Sequence, residues 1–174
     1  ICNDVGQDFA HRLEIDDDGI YRVKDPLVLG LGLAAFRDAA AFFRYAQADD
    51  SGTPNPVANG IRWTIVQGTS QSGNFIKTMI HLGFTEDDAM QGRRIWDGAI
   101  PFIAARQNPI NYRFAQSGRT ERNRQNHLNA ESAFPTSYTT STDPNTGRTD
   151  SRNARCAATS TCPRIMNIVS GNEY

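Results

Sequence analysis

Apolar and polar positions alternate or recur along the first part of this chain in ways that predict a β-hairpin followed by a helix. Residues 11–24 show partial alternation on both sides of Asp18-Gly19, a dipeptide that favours a tight hairpin turn. Further along, four apolar residues recur at spacings of three and four: Leu33, Phe36, Ala40 and Phe43. This spacing forms one apolar stripe and predicts an amphipathic helix over residues 33–47.

A second group of apolar segments predicts a strand, a helix and another strand in succession. The β-branched run IRWTIV, residues 61–66, predicts the first strand, and near-helical spacing over residues 74–83 predicts the helix. The apolar run GAIPFIA, residues 98–104, predicts the second strand. This order indicates a βαβ unit with parallel strands and a right-handed crossover. A further short strand is predicted in RIMNIVSGNEY, residues 164–174.

Residues 105–163 differ from the flanking segments because they are rich in Asn, Arg, Ser, Thr and Gln. A segment of this length exceeds an ordinary connection in a compact domain, and long loops commonly serve as lids or binding loops. We therefore predict a cap-like insertion over the sheet. One domain is expected over 1–174, with a hairpin region at 1–24, a core at 25–104 and a final core strand at 164–174.

Length and charge narrow the classes of function. A chain of 174 residues is long enough for one domain with a sizeable core. Lys and Arg total 18 against 19 Asp and Glu, and a net charge of -1 provides no basic field for nucleic acid or for an anionic membrane. No stretch approaches the roughly 20 apolar residues that span a bilayer. We expect a soluble protein with neither nucleic acid nor membrane as a partner.

The cysteines favour an oxidising compartment. Cys156 and Cys162 lie six residues apart in the polar segment RCAATSTCP, which suits a small disulfide-closed loop. Two reduced thiols remain an alternative, whereas four zinc ligands cannot be assembled from nearby His or Cys. The first residues, ICNDVGQDF, lack an initiator Met and the layout of a signal peptide. We expect a secreted or periplasmic protein whose chain starts after processing or within something longer.

The stretch IVQGTSQSGNF, residues 65–75, passes from an apolar run through small polar residues into the predicted helix. A strand, a tight turn and a helix form the setting of a nucleophile elbow, with Ser70 at the corner. Such a turn needs small residues two positions before and after the serine, and here these are Gly68 and Ser72. The pattern predicts a nucleophilic serine at the edge of the sheet.

The amino end of the predicted helix favours a developing negative charge, because the helix dipole and the unpaired N–H groups point toward it. Gln71 follows the serine directly, and its backbone N–H is the predicted oxyanion donor. A different interpretation makes Ser70 only the N-cap of the helix, which requires no catalysis.

Three segments of the chain are similar to the large α/β-hydrolase domain-containing proteins, whose members are regarded as serine esterases: DPLVLGLGLAAFRDAAAFFRYA, GTSQSGNFIKTMIHLGFTEDDAMQGRRIWDGAIPFIAARQNPINYRFAQSGR and TDPNTGRTDSRNARCAATSTCPRI. The resemblance extends over residues 25–174 and rests on the whole pattern as well as on the serine pentapeptide. It implies an α/β fold, part of a doubly wound parallel sheet, with a Ser-acid-His mechanism. Ser70 would be the nucleophile after the fifth strand, and 98–104 would be the sixth strand.

The resemblance also indicates where the acid belongs. In that fold the acid follows the sixth or seventh strand, and Glu173 follows the last predicted strand as a triad acid should. Asp97 is the second candidate for the acid, and an exposed terminal carboxylate is the alternative interpretation of Glu173. The expected reaction is acyl transfer from a small-molecule ester, with no cofactor and no metal.

No histidine of the chain stands in the expected order. His11 precedes the elbow, His81 lies on the helix that follows it, and His127 falls within the polar insertion before Glu173. The resemblance therefore implies a histidine beyond Tyr174, and first strands with a second oxyanion loop before Ile1. On this expectation the remainder of its own parent chain is a partner of this segment.

Other motifs support competing classes of function. The segment GLGLAA, residues 30–35, fits G-x-G-x-x-A, and Asp50 lies twenty residues after Gly30, which matches a dinucleotide-binding oxidoreductase. Residues 36–48 are helical in pattern, however, where that site needs a strand. The segment 143–150 has the oxygen ligands of a calcium loop but favours a plain turn. A non-catalytic binding or structural module of the same fold is the third class.

Overall fold

The computed structural model describes residues 31–104 and 134–171, together with two short strands, β1 (Leu13–Ile15) and β2 (Tyr21–Val23). Strands β1 and β2 pair antiparallel, which confirms the predicted hairpin. Its predicted turn at Asp18-Gly19 lies outside the described residues. The hairpin belongs to a different compact unit from the other described elements, and each unit is considered separately.

Helix α1 (Leu31–Tyr45) begins and ends two residues earlier than the apolar spacing predicts. Leu33 is buried, and the ring of Phe36 stacks on the ring of Trp96 with a centroid distance of 5.4 Å. Phe36 and Phe43 are 42% and 44% exposed, so the predicted apolar stripe is only partly buried, and the fully buried positions of the helix are Leu33 and Ala41.

A three-stranded parallel sheet forms the centre of the larger unit. Its strands are β3 (Ile65–Thr69), β4 (Gly98–Phe102) and β7 (Arg164–Ile165), in the order β3-β4-β7. Helix α2 (Gln71–Leu82) connects β3 to β4, which confirms the predicted βαβ unit. It ends at Gly83, whose φ of 86° is in the left-handed region that favours glycine.

The boundaries of β3 differ from the prediction at both ends. Residues 61–64 precede the strand, and the backbone N–H of Thr64 donates to the Asp97 carboxylate instead of to a neighbouring strand. At the other end the strand continues through Gly68, which pairs with β4. The connection expected between residues 66 and 74 is thereby reduced to Ser70, and α2 starts at Gln71, three residues before the expected Asn74.

The core lies between α2 and one face of the sheet. Ile76, Met79 and Ile80 on the helix are at most 2% exposed, and they face Val66 and Ala99 on the strands, at 5% and 0%. Fully burying one such aliphatic side chain contributes about 1.5–3 kcal/mol. This packing fixes the position of α2 on the two strands that it connects.

The described part of the polar insertion contains short elements: β5 (Ser141–Thr142), β6 (Thr149–Asp150) and α3 (Ala154–Ala158). A disulfide joins Cys156 to Cys162, which confirms the predicted pair. Between β5 and β6 the carboxylate of Asp143 accepts hydrogen bonds from the following turn, so this segment is an ordinary turn. Within the described ranges no group of three or more His, Cys, Asp or Glu could hold a metal ion.

Candidate active site

The passage from β3 to α2 occupies a single residue, Ser70. Its backbone has φ 56° and ψ -118°, a combination that type II′ turns normally reserve for glycine. A residue with a Cβ held in such a region costs about 1–3 kcal/mol, and residues of this kind concentrate at active sites. The sharp strand-to-helix turn expected from the sequence is therefore present, with a serine at its apex.

Two glycines make this turn possible. A Cβ built on Gly68 would lie 2.6 Å from the backbone carbon and oxygen of Ser72, and a Cβ on Gly73 would lie 2.6 Å from the Cβ of Ala104. Real Cβ atoms essentially never come so close, so any side chain would force the helix away from the sheet. The pentapeptide rule points to a small residue at Ser72, but that side chain is exposed and the tight position is Gly73.

The backbone groups of Ser70 are engaged, whereas its side chain is exposed. The Ser70 N–H donates to the carbonyl oxygen of Phe102 at 2.8 Å, and the Ser70 carbonyl accepts from the N–H of Asn74 at 2.9 Å. The side chain makes no capping hydrogen bond. The interpretation of Ser70 as a conventional N-cap is therefore wrong, because an N-cap places its side-chain oxygen on a helix amide.

Gln71 is the first residue of α2, so its backbone N–H has no partner within the helix. It directly follows the exposed hydroxyl of Ser70, at the end of the helix where the dipole favours negative charge. Its role as a donor to an oxyanion formed on Ser70 stays a prediction.

The family comparison agrees with this geometry. A family model described as alpha/beta hydrolase domain matches residues 11–174. The chain belongs to this alpha/beta hydrolase family. No match is found among curated proteins, and none among solved structures. The hydrolase-type fold expected from the resemblance is therefore confirmed.

A cleft of about 440 Å³ lies beside the elbow of the hydrolase domain. It extends along β3 and the first turns of α2, and one wall is contributed by α1. Its lining residues are Phe36, Val66, Gln67, Gln71, Ser72, Phe75 and Ile76. Apolar walls with a few polar groups are typical of small-molecule sites.

Asp97 lies at the wrong edge of the sheet to be the triad acid. It precedes β4, whose first residue Gly98 is opposite Ile65, whereas Ser70 follows the carboxyl end of β3. Five residues at about 3.3 Å each separate the two edges by roughly 16 Å. In a parallel sheet all amino ends share one edge, so Asp97 cannot serve Ser70, and the second candidate for the acid is wrong.

Asp97 instead forms a structural ion pair at that edge. One of its carboxylate oxygens lies 2.9 Å from Nη2 of Arg44 and accepts the N–H of Thr64 at 2.9 Å. Partial burial alone would raise the pKa of the Asp97 carboxyl, but the Thr64 hydrogen bond and the Arg44 charge outweigh it and lower the pKa below 3.8. The pair ties α1 to the start of the sheet.

We expect Asp97→Asn to lower the free energy of unfolding at pH 7. Because the pKa of Asp97 is lower in the folded than in the unfolded chain, its contribution is present at neutral pH and is lost as the pH falls below about 4. Urea unfolding at pH 7 and pH 3 tests this, with Asp50→Asn, an exposed carboxylate after α1, as control. An equal difference between Asp97→Asn and wild type at both pH values would contradict this role.

Of the three histidines, only His81 lies in the described part of the chain. It belongs to the last turn of α2, eleven residues after Ser70 and roughly 16 Å away along the helix axis. Burial lowers the pKa of its imidazole, but the ring is too distant to take a proton from Ser70. His11 and His127 lie outside the described residues.

Glu173 also lies outside the described residues, which reach Gly171. The preceding chain can be followed: β7 runs parallel to β4, and Ile168 bridges to Phe102, the last residue of β4. The chain therefore passes the carboxyl edge, where Ser70 lies, five residues before Glu173 in the sequence. The assignment of Glu173 as the acid stays a prediction.

The described part of the predicted cap contacts the far end of α2. Arg155 donates to the carbonyl of Leu82 at 3.2 Å, and the hydroxyls of Thr85 and Thr161 are 3.0 Å apart. These contacts lie at the carboxyl end of the helix, opposite Ser70. The predicted cap over residues 105–163 stays a prediction, as do the predicted domain bounds.

The dinucleotide interpretation is wrong on structural grounds. Asp50 lies in a turn after α1, whereas the motif requires an acidic residue at the end of a second strand. Residues 36–45 are helical, as their pattern predicts. Gly30 itself lies outside the described residues.

Ser70→Gly and Ser70→Ala should differ in stability although both remove the hydroxyl. Alanine keeps the Cβ and its strain, about 1–3 kcal/mol, whereas glycine adopts this backbone freely. Glycine therefore relieves the strain, but its greater conformational entropy in the unfolded chain offsets about 0.5–1 kcal/mol of this stabilisation. We expect the glycine variant to be more stable by about 1 kcal/mol in urea unfolding. A more stable alanine variant would show that the turn is not strained.

Proposed function

We propose that the protein is a serine hydrolase that cleaves an ester by acyl transfer through Ser70. The observation that carries the proposal is the backbone of Ser70, which holds an exposed hydroxyl at the start of α2 without a capping bond. This unfavourable conformation does not stabilise the helix by capping. Presentation of a nucleophile at the sheet edge explains why the strained backbone of Ser70 is kept.

The proposed reaction has two steps. The Oγ of Ser70 attacks the carbonyl carbon of the ester while a general base takes the hydroxyl proton. The resulting oxyanion accepts a hydrogen bond from the N–H of Gln71, and collapse of the intermediate expels the alcohol, which receives the proton. Water then attacks the acyl group on Ser70 in the same way, releasing the acid and restoring the serine.

Glu173 is the proposed carboxylate that orients the histidine of the relay. Its place in the chain after β7, beyond the point where Ile168 reaches the carboxyl edge, supports this role. The histidine has to come from outside the described residues, because His81 lies at the other end of α2. We propose that the remainder of the parent chain supplies it.

The proposed substrate is a small-molecule ester. The cleft beside Gln71 and Ser72 is of a size that suits such a ligand, and the aromatic rings of Phe36 and Phe75 offer apolar surface to its acyl or alcohol group. A net charge of -1 gives no support to binding of nucleic acid or of a membrane surface.

We propose a secreted or periplasmic location. The disulfide between Cys156 and Cys162 supports it, because disulfides persist in oxidising compartments. Among the described helices none has both the length and the apolar character to cross a bilayer.

Turnover of a p-nitrophenyl ester by the natural full-length protein tests the proposal. A hydrolase releases many equivalents of p-nitrophenol per protein molecule, and release is blocked after treatment with a fluorophosphonate. Release of less than one equivalent, or release that the fluorophosphonate does not affect, would favour a non-catalytic module of the same fold.

A further inference from the structure

The turn that leaves β4, residues 102–104, directly supports the elbow. The carbonyl oxygen of Phe102 accepts the Ser70 N–H at 2.8 Å. Ala104 is fully buried, and its Cβ occupies the space that a side chain on Gly73 would need. A shift of this turn would therefore move both the residue under Ser70 and the surface on which the first turn of α2 rests.

This turn has an unfavourable backbone. Ile103 has φ 48°, and a β-branched residue with positive φ is a genuine outlier. Its N–H donates to the carbonyl of Ile168 at 2.7 Å, which holds it from the side of β7. Surrounding contacts have to maintain a conformation that the residue itself disfavours.

Lys77 on α2 provides such a contact. It is 2% exposed and lies within the buried run of α2, directly after Ile76. An aliphatic side chain would be the ordinary choice at such a position. Its ammonium donates to the carbonyl oxygen of Ala104. Burying an ammonium is costly unless it is hydrogen-bonded, and such charge-assisted bonds are strong and directional.

We infer that Lys77 is a positioning residue for Ser70, an inference that rests on the proposed hydrolase function. Its ammonium holds Ala104, and with it the turn after β4, so that the Phe102 carbonyl stays under the Ser70 N–H. Ser70 Oγ is thereby kept in line with the ester carbonyl, where a displacement of about 1 Å can cost up to about a hundredfold in rate.

The test compares Lys77→Met, which removes the donor, with Lys77→Arg, which keeps one. We expect Lys77→Met to lower kcat for a p-nitrophenyl ester about tenfold or more with little change in KM, and Lys77→Arg to recover part of the loss. Ile80→Ala is the matched control, because Ile80 is fully buried in the same helix. It should lose stability but keep kcat at temperatures where the protein stays folded.

Amide hydrogen exchange provides a readout that does not depend on activity. In Lys77→Met the amides of Ser70 and Ile103 should exchange at least about tenfold faster than in wild type, because local opening becomes easier. The amide of Phe84, which caps the far end of α2, should exchange in Lys77→Met at the same rate as in wild type.

Wild-type exchange rates at Ser70 and Ile103 in Lys77→Met would overturn the inference, as would an equal loss of kcat in Ile80→Ala. A wild-type protein that is inert toward esters and fluorophosphonates overturns the proposed function instead. In that case faster amide exchange at Ser70 and Ile103 in Lys77→Met still shows that Lys77 holds the turn after β4 and does more than fill the core.

Discussion

Ser70→Ala is expected to lower kcat/KM for a p-nitrophenyl ester by at least about a thousandfold while leaving the protein folded. The loss follows because no acyl intermediate can form without the hydroxyl, and the remaining oxyanion donor provides only a small part of the rate enhancement. The side chain is exposed and caps nothing, so its removal opens no cavity and leaves no buried group unpaired. Steady-state kinetics and urea unfolding of the same preparations separate the two effects.

Ser72→Ala is the matched control for that experiment. Ser72 lies two residues further along, in the first turn of α2, and its side chain is also exposed. It does not have the strained backbone of Ser70, so we expect turnover within about tenfold of wild type. Unchanged turnover in Ser70→Ala, or a larger loss in Ser72→Ala, would reject the assignment of the nucleophile.

Gly68→Ala is expected to lower the free energy of unfolding by about 3 kcal/mol and to abolish turnover. The new Cβ would lie 2.6 Å from the backbone of Ser72 and 2.9 Å from Cδ1 of Ile76. Backbone atoms cannot turn aside as a flexible side chain can, so α2 has to move away from β3. That movement distorts the single-residue turn at Ser70.

Gly32→Ala provides the control for this substitution. A Cβ at Gly32, in the first turn of α1, would meet no atom within 4 Å. Since alanine is the better helix former, we expect Gly32→Ala to be neutral or stabilising by up to about 1 kcal/mol. Chemical unfolding of both variants provides the comparison, and a Gly68→Ala protein as stable as Gly32→Ala would show that the close contact does not exist.

The element types and the parallel pairing were predictable because they depend on local periodicity and on the crossover that a helix makes between two strands. Element boundaries were less so. The start of β3 depends on Asp97, which binds the Thr64 N–H from 33 residues away in sequence. The end of β3 depends on Ser70, whose backbone conformation is one that serine does not prefer. Residue propensity alone would therefore not predict a one-residue turn there.

The sequence pattern alone is sufficient to exclude Asp97 as the triad acid. A residue that precedes a strand lies at the amino edge, and a residue that follows a parallel neighbour lies at the carboxyl edge. Once residues 98–102 are a strand parallel to the one that ends before Ser70, Asp97 and Ser70 are at opposite edges. Topology rather than chain order decides which acid candidate remains.

The roles of Gly73 and Lys77 are not visible in the sequence. Gly73 fits any helix start, and only the contact with Ala104 shows that it has to be a glycine. Lys77 resembles an exposed helix residue by type, but the structure buries it against the turn after β4. Both depend on how α2 meets β4, which is a tertiary contact between distant segments.

Covalent labelling shows whether the turn after β3 presents Ser70 as a nucleophile. The natural full-length protein is treated with a fluorophosphonate, digested with trypsin and sequenced by fragmentation mass spectrometry. We expect one adduct per molecule in the peptide of residues 63–77, located on Ser70 rather than on Ser72. An adduct on another residue, or none on an intact and folded protein, would contradict it.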